Sequence, residues 1–166
     1  LQWRGGMWGI WKSHESLGYN LDDEPFEIPA QGTGLFSCRK DAWLGFNEYF
    51  REFGGEEGYI HEKFRQNGNK VVCLPFLRWV HRFSRPEGVP YPLSNNSRVR
   101  NFLIGHMELE LNLDDLVEHF LAEYDNVDET TMKKLILGVM NETGYKPKFK
   151  KKKMAKIMNP FKKIEL

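Results

Sequence analysis

The stretch SRPEGVPYPLS, residues 84–94, constrains the chain most. Its three prolines each fix φ and remove a backbone donor, so neither helix nor strand can run through it. Before it, apolar runs are short and broken by glycine and proline. GLFSC (34–38) and KVVCLP (70–75) predict short strands, the second β-branched, buried and closed by Pro75. Between them, Tyr59, Ile60, Phe64 and Asn67 share one face of a helix predicted over 56–67, with Gly68 as its stop. NLDDEPFEIPAQGTG (20–34) predicts a loop, and RKDAWLGF a helical turn or two. Trp3, Trp8 and Trp11, interleaved with glycines, predict irregular aromatic-rich backbone rather than a helix or strand.

Beyond the prolines the pattern changes. Residues 97–109, 113–124 and 129–142 predict three helices, with Asn112 and Asp128 as N-caps and Leu113, Leu116, Phe120 and Leu121 as an apolar stripe. Strand, helix and strand followed by a helical extension predict an α/β body. The expected divisions are residues 1–96 for the body, 97–145 for the extension and 146–166 for a basic, flexible tail.

Composition excludes several classes. With 40% apolar and 28% charged residues the chain reads as a soluble globular protein. No apolar run approaches the roughly 18 residues of a membrane span, and the start is not a signal peptide. A first residue other than Met predicts a fragment or a processed product. Cys38 and Cys73, both in apolar segments, predict reduced core thiols and a reducing cytosol. The net charge of +1 hides an asymmetry: residues 146–166 carry nine Lys and one Glu, so the rest is mildly acidic. Such a Lys run predicts a solvated end in weak surface contact. The alternative is a short basic amphipathic helix, with Met154, Ile157, Met158 and Phe161 as its apolar residues, on an anionic membrane, with the protein peripheral there. Nothing else resembles a nucleic-acid-reading motif.

Glu56 and Glu57 open the 56–67 helix directly after Gly54-Gly55. Acidic residues in a first turn compensate the helix dipole. Aimed into a cleft, the same carboxylates make a general base for an acceptor hydroxyl, with the glycines leaving room for the acceptor. His81 lies past the second predicted strand, where a proline-rich loop begins, among Arg78, Arg82 and Arg85; these residues suit a phosphorylated ligand and a divalent metal. HEKF at 61 lacks the second His of a zinc-protease motif, and Asp22-Asp23-Glu24 is an acidic loop with the donors for a metal.

The order of these pieces resembles a known pattern. Gly32, Gly34, Leu35 and Phe36, then Gly45-Phe46, then Gly54 to Glu57 opening a helix with Arg65 and Gly68, then Cys73, Pro75 and His81 are similar to the C-terminal half of a GT-A glycosyltransferase domain. The likeness is to family 2 enzymes and especially to the polypeptide N-acetylgalactosaminyltransferases, and it covers roughly residues 28 to 83.

The resemblance implies the acceptor-side half of a GT-A-like, Rossmann-type domain. Such a domain transfers a sugar from a nucleotide-diphosphate sugar to a hydroxyl of a glycan, lipid-linked or protein acceptor, with Mn²⁺ or Mg²⁺ on the diphosphate. It implies Glu57, or Glu56, as the acceptor-side carboxylate and His81 as a metal ligand. Trp79, Arg82 and Arg85 would flank the diphosphate. Gly34, Gly54, Gly55, Trp8 and Trp11 would lie by the acceptor or sugar. The sequence departs from the pattern in three ways. The half with the Asp-x-Asp metal motif is not in these residues, Phe53 stands where the relatives have Trp, and Glu-Glu replaces Glu-Asp, which leaves the stereochemical outcome open. The alternative is a non-catalytic carbohydrate-binding or assembly module that kept the aromatic cleft.

Overall fold

Beyond the proline-rich stretch, apolar residues recur every three or four positions, and helices form where that spacing predicts them. In the computed structural model, which describes residues 2–5, 7–10, 17–82 and 84–158, α2 spans Asn95–Glu108, α3 Asp114–Glu123 and α4 Glu129–Thr143. Ser94 caps α2 by accepting the N–H of Ser97 at 3.3 Å, and Asp128 caps α4 by accepting that of Thr131 at 2.7 Å. Asn112, expected as the cap of the next helix, lies one residue short of it: Leu113 holds the N-cap position. The Asn112 carboxamide oxygen accepts the N–H of Asp114 at 3.4 Å and of Lys150 at 3.3 Å.

Val99, Leu103 and Ile104 of α2, Leu116, Val117 and Phe120 of α3, and Met132, Ile136 and Val139 of α4 close into one core. Each such side chain contributes about 1.5–3 kcal/mol by leaving water. The core is completed by the segment expected to be a flexible tail. There, α5 (Lys152–Ile157) and the residue after it bring Met154 and Met158, four apart, into the same cluster. Asp114 Oδ2 accepts the N–H groups of Lys150 and Lys151, both at 2.9 Å, and the N–H of Leu113 donates to Lys148 O at 2.9 Å. The physical reason is the apolar i, i+4 pair of Met154 and Met158, which this helix turns onto the protein's own core. Residues 159–166 lie outside the described residues.

The first half is built differently. Gln2–Gly5 (β1) and Trp8–Ile10 (β2) pair antiparallel, so the aromatic-rich start is a hairpin and not the irregular loop expected of it. Met7, buried between these strands in sequence, fits against two helices through glycines. A Cβ on Gly58 of α1 (Glu56–Gln66) would overlap the Met7 carbonyl, and one on Gly105 of α2 would overlap its thioether. α1 buries Tyr59, Ile60 and Phe64, as its pattern predicts, and also His61.

Of the two predicted strands, 70–75 comes out shorter than expected and 34–38 does not form, while a short strand appears inside the expected 20–34 loop. Phe26–Glu27 (β3) pairs antiparallel with Val72–Cys73 (β4), and Val72 is 46% exposed, so 70–75 is not a buried strand. Residues 34–38 form no strand at all. A strand needs a neighbour for its ladder, and each sheet among the described residues has only two strands. Cys73 is half-buried and Cys38 exposed; both are free thiols, but Cys38 is not a core residue.

The described residues therefore form a mixed α/β structure dominated by helices, and their sheets are small and antiparallel. Phe50 and Phe102 pack against both the core of the first half and that of the second. Among the described residues, every exposed large apolar side chain falls between Leu17 and Leu93. No described helix is long and apolar enough to cross a membrane.

Candidate active site

α1 starts where two glycines permit a sharp turn: Gly54 has φ +106° and Gly55, the N-cap, φ +92°, backbone that side-chain-bearing residues rarely adopt. Asn101 of α2 holds this turn. Its carboxamide, 2% exposed, accepts the N–H of Arg51 at 3.1 Å and donates to the carbonyls of Arg51 at 2.7 Å and Gly54 at 3.0 Å. A Cβ on Gly54 would press on the stem of Arg98.

The two carboxylates that follow are not equivalent. Glu56 Oε2 accepts the N–H of Gly54 at 2.8 Å and is committed to its own turn. Glu57 is half-buried and faces Gly32 and Thr33, whose N–H reaches its Oε1 at a long 3.5 Å. Burial, then the adjacent Glu56 charge, raise its pKa above the ordinary carboxylate value; the Thr33 N–H and the Arg98 charge act in the opposite direction. Of the pair, Glu57 is the group suited to exchange a proton.

Behind α1, Tyr59 donates its hydroxyl to Glu108 of α2 at 2.8 Å, and Lys63 Nζ donates to that hydroxyl at 2.6 Å. Asn47 Nδ2 donates to Glu108 at 2.6 Å and to the Tyr145 hydroxyl at 3.2 Å. Burial, with Glu108 close by, pushes the Tyr59 phenol pKa far up, so it stays a neutral donor. The helix that presents Glu57 is thereby fastened to the helical half.

Gly34 lies against the Trp79 ring, which a Cβ would overlap. The His81 ring follows at 5.0 Å from that of Trp79. His81, Arg82 and Arg85 are exposed on the irregular segment leading to the prolines. Arg78 instead ties two loops together, donating to the carbonyls of Pro75 at 3.2 Å and Tyr19 at 2.5 Å. Trp8 packs with the helical half, its ring 4.7 Å from that of His119 in α3, rather than beside Trp79. Trp11 lies outside the described residues.

For a metal the fit is incomplete. Among the described residues no group of three or more His, Cys, Asp or Glu side chains comes together. The Asp23 carboxylate accepts the backbone N–H of Asn20 at 3.1 Å and its Nδ2 at 3.3 Å, closing its own turn.

His61, one turn along α1 from Glu57, is a site residue that the sequence reading misses. It is 2% exposed, donates Nδ1–H to the Glu57 carbonyl at 2.6 Å, and forms part of the wall of a cavity of about 180 Å³ with Phe36, Phe64, Cys73, Leu77 and Trp79. Its i, i+4 spacing from Glu57 is the signal that could have found it. The chain matches no protein-family model, no curated protein and no solved structure.

Proposed function

We propose that the chain is the acceptor-side portion of a GT-A-like, metal-dependent glycosyltransferase, in which Glu57 receives the proton of the acceptor hydroxyl. The observation that carries this reading is the Glu57 carboxyl: half-buried, raised in pKa and presented by a turn of two glycines pinned by Asn101. A base whose pKa is raised toward the working pH accepts a proton more effectively once it is ionised. In the proposed step the acceptor oxygen bonds to the anomeric carbon as its proton passes to Glu57, and the bond from that carbon to the nucleoside diphosphate breaks. Arg82 and Arg85 are offered to the departing diphosphate; His81 would be this chain's one contribution to holding Mn²⁺ or Mg²⁺, which would neutralise that diphosphate, with the other ligands coming from a nucleotide-binding half. That half would also cover the apolar surface exposed between Leu17 and Leu93.

A second reading is favoured by the exposed aromatic rings. Trp43 and Phe46 meet edge to face at 5.2 Å, and Phe53 stacks with Tyr91 at 6.3 Å. Flat faces of this kind suit a carbohydrate-binding module without catalysis.

The discriminating experiment supplies the protein with a panel of nucleotide sugars and acceptor alcohols and follows release of nucleoside diphosphate, for wild type and Glu57→Gln. Under the transferase reading the substitution lowers turnover by about 10²–10⁴-fold with the circular dichroism unchanged. Glycan binding without transfer in either protein, insensitive to Glu57→Gln, would put the binding module in its place.

A further inference from the structure

The structure assigns a ligand to the cavity walled by α1, the 34–38 segment and the β4 strand, and we propose that it takes a neutral aromatic alcohol whose hydroxyl donates to Nε2 of His61. This inference is independent of the transferase reading.

Size comes first. At about 180 Å³ the cavity is somewhat larger than the roughly 150 Å³ of an engineered apolar cavity known to admit benzene. Its walls come next. Phe36, Phe64, Leu77 and Trp79 offer apolar and ring surface, and the Cys73 thiol adds a soft, weakly polar contact. Trp79, 44% exposed, offers the face of its ring to a ligand in the cavity.

The polar groups then select the ligand. Gln31, Ser37 and Lys70 also line the cavity, but all three are exposed to water, and the Lys70 ammonium is engaged by Glu27 in an ion pair. His61 is the buried polar wall residue. Its Nδ1 hydrogen is spent on the Glu57 carbonyl at 2.6 Å, which fixes the tautomer and leaves Nε2 as a lone-pair acceptor. Nε2 has no partner among the described residues. Burial, and then the Arg65 charge, hold this imidazole below its ordinary pKa, so at neutral pH it does not become a second donor.

Against the buried His61 acceptor, carboxylates and phosphates are disfavoured, because they bring no donor. Cations are disfavoured because the walls would strip their water. A free sugar has several hydroxyls, and those set against Phe36, Phe64, Leu77 and Trp79 would be left unpaired. A ring with a single hydroxyl satisfies both size and polarity.

The test uses the full chain, titrated with phenol and with its isostere toluene. Phenol is expected to bind and to move the ¹⁵N resonance of His61 Nε2, while toluene leaves that resonance in place. In His61→Leu, phenol affinity is expected to fall by about tenfold, the size of one hydrogen bond, with toluene affinity kept or improved. Absence of phenol binding to wild type, a phenol-bound state with an unmoved Nε2 resonance, or an unaltered phenol-to-toluene ratio in His61→Leu would each overturn the proposal. Should His61→Leu fail to fold, the wild-type Nε2 resonance decides alone.

Discussion

The surroundings of Glu57 disfavour its charged form. A carboxyl whose pKa is raised on folding binds its proton more tightly in the folded chain than in the unfolded one. The associated stability is fully present below the unfolded value near 4.5 and is lost as pH rises through the higher folded value. Ionising the folded group therefore costs stability, and Glu57→Gln is expected to raise Tm at pH 7. The gain is expected to be about 1–3 °C, the scale of under about 1 kcal/mol in a chain of this size once solvent screening at its open side is allowed for. The gain should shrink toward zero as the pH is lowered to 4. Thermal melts of both proteins at pH 7 and pH 4 check this, and a loss of Tm at pH 7 would show that the carboxylate is held by partners that favour its charge. Asn101, which pins the turn, is invisible from the sequence because its three backbone contacts lie 47 to 50 residues away.

Among the elements, the hairpin, α1 and α2 meet through Met7 and two glycines. Gly58 lies inside α1, where helix propensity alone favours alanine by roughly 1 kcal/mol. Gly58→Ala is nevertheless expected to destabilise the protein by about 2–3 kcal/mol, the cost of overpacking a closed contact, because the new methyl would occupy the place of the Met7 carbonyl. Urea unfolding measures it, and a stabilised Gly58→Ala would mean that the hairpin moves away at little cost. Elements differ in the same way in how far the sequence reveals them. α1, α2, α3 and α4 are legible because a helix satisfies its hydrogen bonds locally and its spacing shows in the sequence. The 34–38 segment reads as a strand by composition, yet a strand is completed by a partner that no local pattern specifies. The Gly-Gly-Glu-Glu start of α1 is legible for the same local reason, whereas the side of α1 that His61 faces depends on where distant loops come to rest.

Across the whole molecule the two halves differ in how completely their apolar surfaces are covered. The helical half hides its core, and the first half leaves Trp43, Phe46, Phe76, Trp79 and Val80 exposed. Closure of the helical half depends on its last helix. Met158, fully buried, is expected to cost about 2–4 kcal/mol when replaced by alanine, within the range for buried Met truncation. Exposed Lys152→Ala should fall within about 0.5 kcal/mol of wild type. Chemical denaturation of the two variants distinguishes a helix that seals the core from one resting on it, since equal midpoints would exclude the seal. The position of that helix in the chain also sets an order of events during synthesis. Asp114 and the α3 face leave the ribosome well before Lys150, Lys151, Met154 and Met158 arrive to cover them. The nascent helical half thus carries an open seam until its last residues emerge to close it.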